Sequence, residues 1–187
     1  GATLGGYLGL NNVIVQTATI GTGNGDIFVN DSVSWNNSNK LTLKAYRNIN
    51  INQTISNSGG GSIELRADNT GTANGTVNFG SNGQITGASK VDLFYNPSSY
   101  SSPTSYSGKV SGGSLNSYML VNNVNQLQDI NTNLSGVYAL GKSFNASGFS
   151  FNQISSFYGV LDGREHTISN LSINSSTSVA LFRTLFS

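Results

Sequence analysis

Along the first half of the chain, apolar residues recur at alternate positions in short bursts. Val13–Val15, Ile27–Val29, Leu41–Leu43–Ala45, Ile49–Ile51, Ile63–Leu65–Ala67, Val77–Phe79 and Val91–Leu93 each place apolar side chains at i and i+2. Clusters of Gly, Asn, Ser and Asp separate them, among them Gly21-Thr-Gly-Asn-Gly25 and Asn57-Ser-Gly-Gly-Gly61. A β-strand turns successive side chains to opposite faces, so alternation bounded by turn residues predicts strand, turn, strand. Between residues 13 and 95 no stretch carries a helical stripe longer than one turn.

The spacing of the bursts says more. Val13 to Trp35, Ile27 to Ile49, Val33 to Ile55, Leu41 to Ile63, Ile55 to Val77 and Ile63 to Ile85 are each 22 residues apart. Three strands of about three to five residues, at roughly 3.3 Å per residue, together with their turns use up a repeat of that length. The repeat predicts an all-β chain wound as a right-handed parallel β-helix, with the inward residues of each coil stacked on those of its neighbours. A β-sandwich with strands every roughly 8–12 residues is the competing architecture. Asparagine favours the solenoid, because it tolerates left-handed turns and stacks into hydrogen-bonded ladders at equivalent positions.

The organisation expected is β-helix coils over 1–95, a Ser/Tyr/Pro loop excursion over 96–117, and a further β unit over 118–187. Both prolines, Pro97 and Pro103, lie in the excursion, which has almost no aliphatic residue near them. Its tyrosines have two readings: Tyr95, Tyr100 and Tyr106 either pack on the coils, the more expected role, or contact a ligand. Val124, Leu127, Ile130 and Leu134 are spaced for a short helical turn near 124–131. Strands are expected at Val137–Leu140, Phe157–Leu161 and from His166 through Ile173, with a tight turn at Asp162-Gly163. The apolar run from Ala180 to Phe186 ends abruptly, so the native chain is expected to continue beyond Ser187.

Composition narrows the partners. Asn, Ser, Gly and Thr make up about half of the 187 residues, and only 9% are charged, against roughly 25% in an average soluble domain. Disorder is disfavoured, since it accompanies high net charge and few aromatics; here net charge is +1 and aromatics are 10%. No basic stripe exists to bind nucleic acid, and no apolar run of membrane-spanning length is present. With no cysteine, disulfides and thiolate metal sites are excluded. The first residues lack the basic start and apolar core of a signal peptide.

The chemistry-bearing residues are few. The eight acids are Asp26, Asp31, Glu64, Asp68, Asp92, Asp129, Asp162 and Glu165. Glu64 and Asp68 share an outward strand face with Arg66 and read as a solvated pair. Only Asp162-Gly-Arg-Glu-His166 gathers titratable groups around the sole histidine. It reads as a β-turn capped by Asp162, with His166 opening the next strand. Gly21-Thr-Gly-Asn-Gly25 precedes a strand rather than a helix, so it is no phosphate loop. No catalytic, cofactor-binding or metal-ligating residue is expected, and the chain reads as non-enzymatic. Asn-X-Ser/Thr candidates for glycosylation are Asn30, Asn36, Asn52, Asn74, Asn133, Asn145, Asn170 and Asn174.

Val124-Asn-Gln-Leu-Gln-Asp-Ile-Asn-Thr-Asn-Leu-Ser-Gly-Val-Tyr-Ala-Leu-Gly-Lys-Ser-Phe-Asn-Ala-Ser-Gly148, followed by Phe157-Tyr-Gly-Val-Leu-Asp-Gly-Arg-Glu-His-Thr-Ile-Ser-Asn-Leu-Ser-Ile173, resembles the GLUG-type segment of filamentous-haemagglutinin-like exoproteins. Asp31-Ser-Val-Ser-Trp-Asn, Leu41-Thr-Leu-Lys-Ala and Asn48-Ile-Asn-Ile-Asn resemble the coils that follow the secretion domain of such proteins. The resemblance implies a parallel β-helix exported by two-partner secretion through an outer-membrane transporter and displayed on a Gram-negative surface. Its members include high-molecular-weight adhesins glycosylated on Asn-X-Ser/Thr, haemagglutinins and a haem-acquisition protein. The implied function is an adhesin-type virulence stalk presenting regions that bind a host glycan or protein receptor. A carbohydrate-active β-helix enzyme and a haem-carrier-capturing exoprotein are the alternatives. The family usually has Gly where this chain has Glu165, and Gly-Leu-Phe-Gly where it has Ala180-Leu-Phe-Arg183, so a local difference is expected at the 162–166 turn. The family's Asn-Pro-Asn-Leu secretion motif is missing, which points to stalk rather than export domain.

Overall fold

The computed structural model describes residues 1–19, 23–174 and 179–186. The chain is a parallel β-solenoid of about seven turns with two short helices. Contacts divide it into two compact units.

The first unit comprises Gly1–Asn69, Asn74–Asn96 and Thr104–Tyr118. It holds helix α1 (Ala2–Leu8) and strands β1 (Val13–Gln16), β2 (Ile27–Val29), β3 (Val33–Trp35), β4 (Leu41–Lys44), β5 (Ile49–Ile51) and β6 (Ile55–Asn57). It continues with β7 (Ser62–Arg66), β8 (Val77–Phe79), β9 (Ile85–Tyr95) and most of β10 (Val110–Val121). Parallel pairing orders these as β1-β4-β7-β9, β2-β5-β8 and β3-β6-β9. The register makes the interior a set of columns. Val13, Leu41, Ile63 and Val91 form one; Val15, Leu43, Leu65 and Leu93 the next; Val33, Ile55 and Ile85 a third. Nearly all of these side chains are sealed from solvent, and each fully buried aliphatic contributes about 1.5–3 kcal/mol.

The 22-residue repeat holds for Ile27–Ile49, Val33–Ile55 and Leu41–Ile63, which are register partners. It fails for the other three pairs. Val13 faces Leu41, Ile55 faces Ile85 and Ile63 faces Val91. The extra length sits mainly at one corner. Residues 17–26 after β1 and 67–76 after β7 make ten-residue connections where 45–48 after β4 needs four. A corner loop lengthens a coil without moving the stacked strands.

Helix α1 was not legible in the alternation. It packs on β3, the end strand of its sheet. Gly5 permits this, since a Cβ there would lie 2.5 Å from the Ser34 carbonyl oxygen. The side-chain amides of Asn37 and Asn39 donate to the Leu8 carbonyl at 3.1 and 2.8 Å. The helix thus shields an edge strand that would otherwise offer its backbone to other chains.

The second unit comprises Thr70–Ala73, Pro97–Pro103 and Met119–Ser187. Its helix α2 (Val124–Asp129) runs into a 3₁₀ turn at Ile130–Thr132, as the apolar spacing predicts. The cap residue Asn123 accepts a hydrogen bond from the Gln126 N–H, while the Gln126 side chain accepts one from the Asn122 N–H. The strands are β11 (Val137–Leu140), β12 (Phe144–Asn145), β13 (Ser150–Asn152), β14 (Ile154–Phe157), β15 (Val160–Asp162), β16 (Ile168–Ser169), β17 (Ser172–Asn174) and β18 (Phe182–Leu185). They pair in parallel as β11–β15, β12–β16, β13–β17 and β14–β18, four short strands per coil. Tyr100, Tyr138, Phe157 and Phe182 form a chain of ring contacts with centroids 5.5, 6.3 and 4.5 Å apart.

The segment read as an excursion over 96–117 is loop only as far as Lys109. Val110 opens β10, whose Ser-Gly-Gly-Ser stretch has no apolar alternation to announce a strand.

Asparagine ladders appear as expected. The Asn52 amide donates to Asn30, Asn78 to Asn50 and Asn170 to Asn145, at 2.7, 3.0 and 3.1 Å. Asn57 does more. It is 3% exposed, donates to the carbonyls of Trp35 and Asn37, and accepts from the backbone N–H of Gly59 and Gly61. Asn57→Ala removes the partner of the buried Gly61 N–H and of the part-buried Gly59 N–H and Asn37 carbonyl, while the Trp35 carbonyl keeps the Ser58 N–H, and urea unfolding should show a loss of about 2 kcal/mol. An unchanged midpoint would mean that the turn is held by something else.

Candidate functional site

The solenoid positions its polar side chains by register, so each candidate is defined by the strand or corner that carries it. Glu64 on β7 and Asp92 on β9 are cross-strand partners. Lys40 reaches Glu64 at 2.6 Å and Lys90 reaches Asp92 at 2.8 Å. The Asn116 amide adds a hydrogen bond to Asp92 at 2.8 Å. At a corner, Arg47 grips Asp26 with two hydrogen bonds of 2.8 and 2.6 Å, and this guanidinium holds the carboxyl below its ordinary range. Two carboxylates side by side would repel, and a lysine at each removes that cost.

The reading of Glu64 and Asp68 as a solvated pair is corrected. Glu64 is 9% exposed and Asp68 0%. Asp68 leaves the strand at the corner with a positive φ of 50° and accepts a hydrogen bond from the Asn96 amide at 2.9 Å. The alternation that placed it outward ends at Arg66, where β7 ends. Among the described residues, no three His, Asp or Glu side chains gather to hold a metal ion.

Around His166 the turn sits two residues later than expected. Arg164 and Glu165 are its central residues, with φ of 44° and 63°, and the His166 N–H closes it on the Gly163 carbonyl at 2.8 Å. Positive φ at both centres defines a type I′ turn, where Asn-Gly is preferred. Glu165 therefore stands in a conformation that favours glycine. Asp162 caps the turn as expected, accepting from the Arg164 N–H at 2.9 Å. His166 lies in the turn, and the strand begins only at Ile168.

The three tyrosines offered as ligand contacts are buried. Tyr106 donates to the Val77 carbonyl at 3.0 Å and packs edge-on against Tyr95, while Tyr100 donates to the Leu120 carbonyl at 2.5 Å. Burial pushes the Tyr95 hydroxyl up to about 12 and raises Tyr100 and Tyr106 as well. These rings face the protein interior, which is the packing role.

Of the candidate glycosylation sites, Asn30, Asn36, Asn74, Asn145, Asn170 and Asn174 are exposed, while Asn52 and Asn133 are half-buried. Asn30, Asn52, Asn145 and Asn170 are tied into ladders, and the Asn133 amide donates to the Tyr100 carbonyl. Ser175 and Ser176 of the Asn174 site, like Gly21 and Thr22 of the glycine-rich run, lie outside the described residues. Sequence reasoning missed a groove of about 510 Å³ lined by Gly5, Gly9, Ser34, Asn36, Ser56 and Thr86. Its one signal is the Gly1, Gly5, Gly9 spacing, which puts glycines along one side of a helix.

No protein family, curated protein or solved structure matches this chain.

Tyr95 supplies a pH test. Its folded state keeps the proton up to about 12, whereas an unfolded tyrosine releases it near 10. Stability should therefore be complete below pH 10 and fall as pH rises towards about 12. Urea unfolding of Tyr95→Phe across that window should give a flatter profile. An identical slope would show that the Tyr95 hydroxyl is not the group concerned.

Proposed function

We propose that this chain is a length of a secreted bacterial surface exoprotein of the filamentous-haemagglutinin type, serving as a stiff non-catalytic stalk that presents host-binding regions. The observation that carries this reading is how the solenoid is solvated. Its outer polarity comes from register-matched amides, and its cross-strand acids are each held by a lysine. A stalk needs a surface that repeats coil after coil and stays soluble without strong charge. An acid–base catalyst needs a carboxyl free to exchange a proton with substrate.

The resemblance of the Val124–Gly148 and Phe157–Ile173 segments to the GLUG type supports export through an outer-membrane transporter and display at a Gram-negative surface. Host glycan or protein receptors are the partners that reading names. Asn36 and Asn74 carry exposed amides with no side-chain hydrogen bond among the described residues, which makes them the first acceptors if the protein is glycosylated.

One observation favours the second reading, a carbohydrate-active β-helix enzyme: Glu64 and Asp92 stand side by side on adjacent strands, as a pair of catalytic carboxyls would. The full-length parent, screened against host glycans and proteins, should bind at least one, and Glu64→Gln with Asp92→Asn should leave that binding unchanged. Cleavage of a polysaccharide that is lost in the same variant would replace the stalk with the enzyme.

A further inference from the structure

The chain contains three Asn-Gly steps: Asn24-Gly25, Asn74-Gly75 and Asn82-Gly83. Glycine has no side chain to shield its backbone nitrogen, which can attack the side-chain carbonyl carbon of the preceding asparagine. The attack forms a C–N bond to the glycine nitrogen and breaks the carboxamide C–N bond. Ammonia leaves with the proton of the attacking N–H, and a five-membered cyclic imide remains. Water then opens the ring at one carbonyl to give aspartate, or at the other to give isoaspartate. The reaction requires an amide free to bend and a backbone nitrogen free to receive it.

The fold treats these steps differently. Gly83 is buried and its N–H donates to the Gly80 carbonyl at 3.1 Å. Its nitrogen is engaged. Asn74 is exposed at the ten-residue corner 67–76. Neither its side-chain amide nor the Gly75 N–H bonds to a described residue. Asn24-Gly25 adjoins residues outside those described and takes no part here.

We propose that Asn74-Gly75 is a site of spontaneous deamidation, selected by the fold over Asn82-Gly83. The Gly75 carbonyl accepts both the backbone N–H and the side-chain amide of Asn96, at 3.1 and 3.0 Å. Isoaspartate adds a methylene to the main chain just before this anchor and shifts it. Either product places a new carboxylate in the groove that Asn74 shares with Tyr46 and Arg47, and each conversion makes the chain one charge more negative. The corner therefore gains a negative charge as the molecule ages.

The test is peptide mapping of the folded chain during incubation in mildly alkaline buffer, following the gain of one dalton at each asparagine. Fragmentation that separates aspartate from isoaspartate identifies the products. Asn74 should convert at least about tenfold faster than Asn82, the factor that an opening cost of about 1.4 kcal/mol gives. In the urea-unfolded chain the two rates should converge. Asn74→Gln, at an exposed position, should keep the circular dichroism of the native chain and lose the fast phase. Equal rates in the folded chain, a faster Asn82, or a difference that persists in urea would each overturn the proposal.

Discussion

Parallel strands pair residue for residue, so a slip of one position in β7 would turn Ile63 and Leu65 out of the core together. This constraint on register governs the rest of the molecule. It lets coil length vary, because extra residues can gather at a corner while the paired segments stay aligned. It makes the interior a set of columns rather than a jigsaw of unlike pieces. The same alignment places outward side chains of equal type above one another, which is why Asn52 meets Asn30 and Asn78 meets Asn50.

With so little charge, polar groups must be satisfied by amides and hydroxyls. Asn57 shows the device at a corner, where one side chain serves two carbonyls and two N–H groups. Asp68 shows it with a carboxylate: the chain turns left-handed, and the acid points inward to the Asn96 amide. Unpaired, such buried groups would each cost about 1–3 kcal/mol. Among the described residues, several of the few charges meet in close pairs: Arg47 with Asp26, Lys40 with Glu64 and Lys90 with Asp92.

Much of this was legible because a buried strand writes itself as alternation. Ile27, Val29, Val33, Leu41, Leu43, Ile49 and Ile51 all carried their burial in the sequence. The repeat was legible only where the corner is short. The long connections 17–26 and 67–76 shift later strands out of the 22-residue period, so chance matches such as Ile55 with Val77 looked equivalent to true partners. Helix α1 was hidden because its glycines argue against a helix locally, and its packing on β3 decides the matter. Strand β10 was hidden because Ser and Gly on its first half derive their conformation from pairing. Of the candidate site residues, the charges were visible but their partners were not, since Lys40 and Glu64 lie 24 residues apart and meet only through the winding.

The functional reading rests on the same winding, since a stalk works by repeating one surface. Its foundation is therefore the coil register, which engineered disulfides measure directly in a chain with no native cysteine. Ser56 and Thr86 are partners on adjacent parallel strands, whose separation of about 4.8 Å suits a disulfide. Ser56→Cys with Thr86→Cys should cross-link under mild oxidation, while Ser56→Cys with Asn78→Cys, on strands of different sheets, should not. A bridge between positions 56 and 78, with none between 56 and 86, would contradict the register and the account built on it.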